Sequence, residues 1–250
     1  MTKKIDLKSD IVSPDDTLMY DWFGLDYIQP SDIQTALSQG DQNEPVEIDI
    51  ASNGGDVFAA SEMYALLNAY PGQVNVFVQG LAASAATIVA MAGDKISIAP
   101  TAQMMIHKAS TQASGNADDL NHQAGVLNNI DQSIVNAYQL KTGMSPTDLL
   151  QLMSNETWLT AQDAVDKGFA DEITAPAGKS SAVVQAPLFA NSLSNTPSRD
   201  IVNKFNLLIG KAKAFDKLQT TEEPPKAVEQ TQENKKTDKS ELKNMLALLF

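Results

Sequence analysis

Three observations predict an α/β protein built on a largely parallel sheet. From Val46 to Lys167, short apolar and β-branched runs alternate with stretches of helical periodicity. Glycine or proline punctuates the junctions, as at Gly54-Gly55, Pro71-Gly72, Gly93, Pro100, Gly143 and Gly168. One serine, Ser84, stands among small apolar residues where a strand-like run meets a helix-like run.

The elements follow in order. Lys4 to Val12 carries Ile5 and Leu7 between polar neighbours and reads as one short strand. Ser31 to Leu37 reads as a helix with Ser31 at its N-cap. Val46 to Ile50 alternates with period two and runs into Ser52-Asn53-Gly54-Gly55-Asp56, where the glycines end the strand. Val57, Ala60, Tyr64 and Leu67 then recur at helical spacing until Pro71-Gly72. Val74 to Val78 is a strand, and Ser84 to Ala92 is an Ala-rich helix stopped by Gly93-Asp94. Ile96 to Ile98 and Met104 to Ile106 are strands around a turn at Pro100. Asn116 to Lys141 is a long helix with Leu120, Leu127, Ile130, Ile134 and Tyr138 on one face, and Gly143 ends it. Pro146 opens a helix that runs through Met153, consistent with proline's fitness for the first helical position. Thr160 caps a last helix, Ala161 to Lys167, closed by Gly168.

The chain changes character after this. Residues 1–174 are expected to form the folded domain, and residues 175–250 a linker and low-complexity tail. Ala175 to Ser198 is rich in Ala, Ser and Pro. Asp200 to Phe215 carries Ile201, Phe205, Leu208 and Ile209 as an amphipathic helix. Thr220 to Ser240 is almost wholly polar and expected to be disordered, and the last residues are apolar.

Composition narrows the chemistry. The 250 residues carry a formal net charge of −13, which argues against a nucleic-acid footprint of clustered Lys and Arg. The absence of cysteine excludes disulfides, thiolate catalysis and Cys-based metal sites, and fits a cytoplasmic protein. The first ten residues lack the apolar core of a signal peptide, and no run approaches the length of a membrane span. With two separated histidines, metal ligation is poorly supported, and Gly54-Gly55 lacks both phosphate-loop signatures. No metal or organic cofactor is expected.

What remains is a nucleophile with a base. On position alone, Ser84 reads as a helix cap. As a nucleophile it needs a base, an orienting acid and an anion hole. Of the two histidines, His107 ends an apolar strand where its ring can face a cleft, whereas His122 lies off the apolar stripe of the long helix. Gly54-Gly55 allows a backbone N–H, that of Gly55, to point at a developing oxyanion. The Ala85 N–H, at a helix start, is the second candidate donor.

Taken together, these segments resemble the Clp protease proteolytic subunit family, and within it the phage and prophage head-maturation (prohead) proteases. Ser52-Asn53-Gly54-Gly55-Asp56 is similar to the family's Ser-Pro-Gly-Gly-x turn. Gly80-Leu81-Ala82-Ala83-Ser84-Ala85 is similar to the Gly-x-Ala-Ala-Ser-x segment around its nucleophile, and Met105-Ile106-His107 to the Met-Ile-His segment bearing its base. Thr157 to Ala161, with Ala164 to Asp171, is similar to its closing Ala-x-x-Gly-Leu-x-Asp region. The resemblance spans about residues 5 to 174. Asn53 departs from the family's proline and Lys108-Ala109 from its Gln-Pro.

The resemblance implies a Clp-protease/crotonase-like superfold of repeated ββα units. It implies a serine endopeptidase with Ser84 as nucleophile and His107 as base. The family's acid is an aspartate just before the closing region, and the equivalent place here holds Glu156; Asp163, Asp166 and Asp171 fit worse. It also implies a homo-oligomeric ring acting on protein chains: capsid or scaffold proteins in the phage branch, or unfolded chains delivered by an ATPase partner in the cellular one. Two readings of other classes stand beside it. One is a crotonase-like acyl-CoA enzyme, which needs no Ser84–His107 pair and for which the acidic chain offers no basic phosphate site. The other is a non-catalytic assembly protein that keeps a protease fold.

Overall fold

The computed structural model describes residues 2–41, 43–174, 205 and 207–209. Its elements are β1 (Lys3–Leu7), β2 (Asp10–Ile11), α1 (Thr17–Phe23), β3 (Tyr27–Ile28), α2 (Pro30–Ser38), β4 (Val46–Ser52), α3 (Val57–Asn68), β5 (Val74–Ala83), α4 (Ala85–Ala90), β6 (Lys95–Ile98), β7 (Gln103–Ile106), α5 (Ala117–Thr142), α6 (Pro146–Ser154), β8 (Thr157–Thr160), α7 (Ala161–Asp166) and β9 (Glu172–Ile173). The chain divides into two compact units, Met1–Asn206 and Leu207–Phe250. Phe205, Leu207, Leu208 and Ile209, within the expected amphipathic helix, are helical; the linker, the polar stretch and the apolar end of the tail lie outside the described residues.

Strand β5 organises the molecule. Along one edge it pairs in parallel with β4. Along the other it serves two strands in turn: Asn75–Val78 pair with β6, and Leu81–Ala83 pair with β7. The main sheet runs β1-β4-β5-β6-β9, with β7 and β8 leaving it beyond the middle of β5. Among the described residues every strand pairing is parallel except β7 with β8, as expected where helices α3 and α4 carry the chain back between strands. Period-two patterning puts Val46, Ile48 and Ile50 of β4 and Val74, Val76 and Val78 of β5 in the core. Helices α3 and α4 cover them with Ala59, Ala60, Met63, Ala86 and Val89.

Several boundaries differ from the sequence reading, for local reasons. The strand expected over Lys4 to Val12 is two strands, β1 and β2, each with its own parallel partner. The N-cap of α2 is Gln29 rather than Ser31, because Pro30 occupies the first helical position and Asp32 reaches back to the Gln29 N–H. Helix α1 was not apparent: its short length leaves only Met19 and Tyr20 buried, and a left-handed Gly24 ends it. Strand β5 extends five residues further than Val78, up to Ala83, because β7 continues its pairing.

Candidate active site

The nucleophile candidate sits where β5 ends. Leu81, Ala82 and Ala83 pair with Gln103, Met104 and Met105, and the Ser84 N–H then donates to the Met105 carbonyl at 2.8 Å. This parallel register fixes Ser84 beside the end of β7, from which His107 follows after Ile106. His107 Nε2 and Ser84 Oγ lie 2.7 Å apart. Ser84 stands at the N-cap of α4, yet its side chain makes no capping bond. Its backbone is also wrong for a simple cap, with φ 53° and ψ −125°. A side-chain-bearing residue there costs about 1–3 kcal/mol, a strain concentrated at functional positions.

The glycine turn lies against this elbow. Gly54 has φ +97°, and a Cβ on it would meet the Ala83 carbonyl oxygen at 2.6 Å and the Ala85 nitrogen at 2.8 Å. Gly55 has φ +146°, and a Cβ there would fall 2.1 Å from the Ile11 carbonyl oxygen. Ile11 bridges the turn by donating to the Gly54 carbonyl and accepting from the Asp56 N–H, which leaves the Gly55 N–H out of the bridge. Asp56 then caps α3 by accepting from the Ala59 N–H at 2.8 Å. Gly55, Ser84, Ala85 and His107 line one open cleft of about 380 Å³. Val126, Leu127, Ile130, Ile134 and Tyr138 of α5 also line it.

Glu156 approaches from the third strand. It precedes β8, whose antiparallel pairing with β7 ends at Ile106 opposite Thr157. Its backbone is left-handed, with φ 46°. Among the described residues it makes no hydrogen bond to His107, and its Oε1 accepts from Trp158 Nε1 at 3.4 Å. Burial pushes the His107 pKa below its ordinary value, while the negative charges of Glu156 and then Asp131 push it partly back. A neutral imidazole in hydrogen-bond contact with a hydroxyl is equipped to accept its proton. His122 is exposed on α5.

Asp131 did not stand out in the sequence. Its side chain is 4% exposed, and Oδ1 accepts from the Ala109 N–H at 2.8 Å. Its Oδ2 lies 4.0 Å from Lys108 Nζ. It therefore ties down the chain just after His107. The signal was available: Asp131 falls on the same helical stripe as Leu127, Ile134 and Tyr138, where a carboxylate is out of place without a partner. Thr87 and the Tyr138 hydroxyl likewise carry no sequence signal beyond their places in helices. Among the described residues no group of three or more His, Asp or Glu side chains is placed to hold a metal ion, and no helix is long and apolar enough to cross a membrane.

A serine–histidine pair at the ends of adjacent parallel strands, with a glycine turn and a helix start beside it, is the arrangement a serine hydrolase requires. Residues 32–177 match the Clp protease family, and the chain belongs to that family; it is a serine-type endopeptidase. It is 30% identical over 139 residues to the ATP-dependent Clp protease proteolytic subunit 2 of Thermobifida fusca, covering 55% of this chain and 68% of that protein. It is 29% identical over 136 residues to the corresponding subunit of Deinococcus radiodurans, covering 53% and 67%. The structure of a ClpP1 mutant from Listeria monocytogenes shares the fold, with a TM-score of 0.57 and 21% identity over 70% of this chain and 92% of that one.

Proposed function

We propose that the chain hydrolyses peptide bonds through an acyl-enzyme formed on Ser84. The observation that carries this reading is the 2.7 Å contact between His107 Nε2 and the hydroxyl of a backbone-strained Ser84. His107 takes the Ser84 proton as the oxygen attacks the scissile carbonyl, then returns it to the leaving amine. Water attacks the acyl-enzyme by the same route and regenerates the hydroxyl. The N–H groups of Gly55 and Ala85 hold the oxyanion, and Glu156 stabilises the imidazolium by its charge. The protease domain is assigned to residues 1–174 and the remainder to a tail. Ser84→Ala is expected to abolish cleavage of unfolded casein and labelling by a fluorophosphonate while leaving the fold intact. Labelling of the variant at the wild-type rate rules the assignment out.

The family's subunits form oligomeric rings, and a homo-oligomeric ring in the host cytoplasm is proposed here. Light scattering coupled to size exclusion tests it, and a persistent monomer counts against it. For substrates, the reading is processing of capsid or scaffold proteins during phage head assembly. It is supported by the motif-level resemblance and by the long segment after the protease domain. The names of the curated relatives favour a second reading, degradation of chains fed by an ATPase. Co-expression with neighbouring head proteins, wild type against Ser84→Ala, separates the two: defined capsid or scaffold fragments favour maturation, and their absence favours degradation.

A further inference from the structure

A chain of hydroxyls runs beneath the nucleophile and ends on its backbone. Thr87 Oγ1 lies 2.5 Å from the Ser84 carbonyl oxygen, and Tyr138 Oη lies 2.5 Å from Thr87 Oγ1. The direction of each bond follows by elimination. A carbonyl oxygen only accepts, so Thr87 donates to Ser84. Thr87 has then spent its one proton, so Tyr138 donates to Thr87. Tyr138 is 1% exposed, and burial raises its pKa well above the ordinary tyrosine value, so it keeps the proton it must give.

We propose that Thr87 and Tyr138 are positioning residues that aim the Ala85 N–H at the oxyanion. The inference rests on the reading of Ser84 as nucleophile and of Ala85 as an oxyanion donor. The Ser84 carbonyl and the Ala85 N–H belong to one peptide plane, and in a trans peptide they point in opposite directions. Holding the carbonyl inward therefore turns the N–H outward, to the side where Ser84 and Ala85 line the cleft. The carbonyl is held twice, by the Thr87 N–H at 2.9 Å and by the Thr87 hydroxyl. The second hold matters because Ser84, at φ 53° and ψ −125°, would relax by turning about its Cα–C bond, which rotates this plane. The Tyr138 hydroxyl fixes the rotor of Thr87 so that its proton faces Ser84. Packing alone explains neither hydroxyl. Valine and phenylalanine would fill the same volume, so the two hydroxyls add bonds that filling the space does not require.

The test is the labelling of Ser84 in the full chain by a fluorophosphonate, whose phosphoryl oxygen occupies the oxyanion position. Its kinact reads the oxyanion site and its KI reads reversible binding. Removing one oxyanion donor typically costs about 10²–10³ in rate, so a mis-aimed donor is expected to cost about tenfold to a hundredfold in kinact. Thr87→Val and Tyr138→Phe should both show this loss with KI within about twofold of wild type. Thr87→Ser, which keeps the hydroxyl, should stay within about threefold of wild type in kinact. Equal kinact in Thr87→Val and wild type overturns the proposal, as does a loss confined to KI, or a Thr87→Ser as slow as Thr87→Val. Should Tyr138→Phe fail to fold, the two Thr87 variants decide alone. A wild type that is not labelled at Ser84 overturns the nucleophile assignment and the relay together. A labelled wild type with unaffected variants overturns the relay only.

Discussion

Ile106 of β7 pairs with Thr157 of β8 in antiparallel register, and this sets the residue after the first, His107, across from the residue before the second, Glu156. The parallel pairing of β5 with β7 does the same for Ser84 on the other side. Three residues far apart in the chain thus stand at the ends of three neighbouring strands, with Ser84 and His107 in contact. Glu156 is the loosest of the three, being exposed and bonded to Trp158 rather than to the imidazole.

That looseness sets the expected effect of Glu156→Gln. Loss of the acid in a tightly bonded triad costs about 10⁴ in kcat. Here the carboxylate acts on His107 through charge, so a loss of roughly 10–10² in kcat/KM on casein is expected. The pH profile checks the cause. Burial holds the His107 pKa below its ordinary value, so activity should fall on the acid side with a midpoint below about 6.5. The Glu156 charge raises that pKa, so removing it should move the midpoint to still lower pH. An unmoved midpoint would show that His107 does not feel Glu156.

The parts legible from sequence were those that local rules govern. The glycine pair, the small residues flanking Ser84 and the apolar strand before His107 each need special backbone or burial, so they mark themselves in the chain. Glu156 is expected from family spacing alone; the β7–β8 register sets it across from His107, while its carboxylate accepts from Trp158. Asp131 and the Thr87–Tyr138 pair do not mark themselves in the chain, because their bonds join α5 to α4 and to the segment after His107, which are distant in sequence. Helical periodicity says which face Tyr138 occupies and is silent on which carbonyl its hydroxyl chain reaches. The short elements α1, β3 and β8 escaped for a related reason: tertiary pairing, more than intrinsic propensity, stabilises segments of that length.

Asp131 should separate into two functions under substitution. Asp131→Asn keeps an oxygen to accept from the Ala109 N–H and removes the charge. It should leave the melting temperature close to wild type and shift the acid midpoint of activity to lower pH, by less than Glu156→Gln, because Glu156 exerts the larger effect on His107. Asp131→Ala also leaves the Ala109 N–H unpartnered, at a cost of about 1–3 kcal/mol. Urea denaturation of the two variants reads the difference. Equal stabilities would mean that the Ala109 bond contributes nothing to holding the segment after His107.

The two glycines of the turn should be unequally tolerant. A Cβ at Gly55 would meet backbone, the Ile11 carbonyl oxygen at 2.1 Å, with φ +146° adding strain whatever the space. Relief requires β2 to move away from the turn, so Gly55→Ala is expected to lose several kcal/mol and to accumulate as insoluble chain. A Cβ at Gly54 would meet the Ala83 oxygen at 2.6 Å and crowd Ser84. Gly54→Ala should therefore fold less stably and label with a fluorophosphonate more slowly than its stability loss explains. Comparing soluble yield with labelling rate separates the two, and equal behaviour of both variants would contradict the contacts described.

The strain at Ser84 can be measured against two substitutions that both remove the hydroxyl. Ser84→Ala and Ser84→Gly each lose the bond to His107 and, on the proposed mechanism, all proteolysis. They differ in the Cβ alone. At φ 53° and ψ −125° a Cβ is disfavoured, whereas glycine adopts such angles readily. Glycine also gains freedom in the unfolded chain, worth roughly 0.4–1 kcal/mol, which opposes the relief. With about 1–3 kcal/mol of strain on one side and that entropy on the other, Ser84→Gly should be the more stable by roughly 1 kcal/mol. For a domain of this size that is a rise of about 2–4 °C in melting temperature. If Ser84→Ala melts at the same temperature or higher, the elbow is unstrained. The backbone angles then owe nothing to catalysis, and the 2.7 Å contact to His107 stands without the stored energy argued for it.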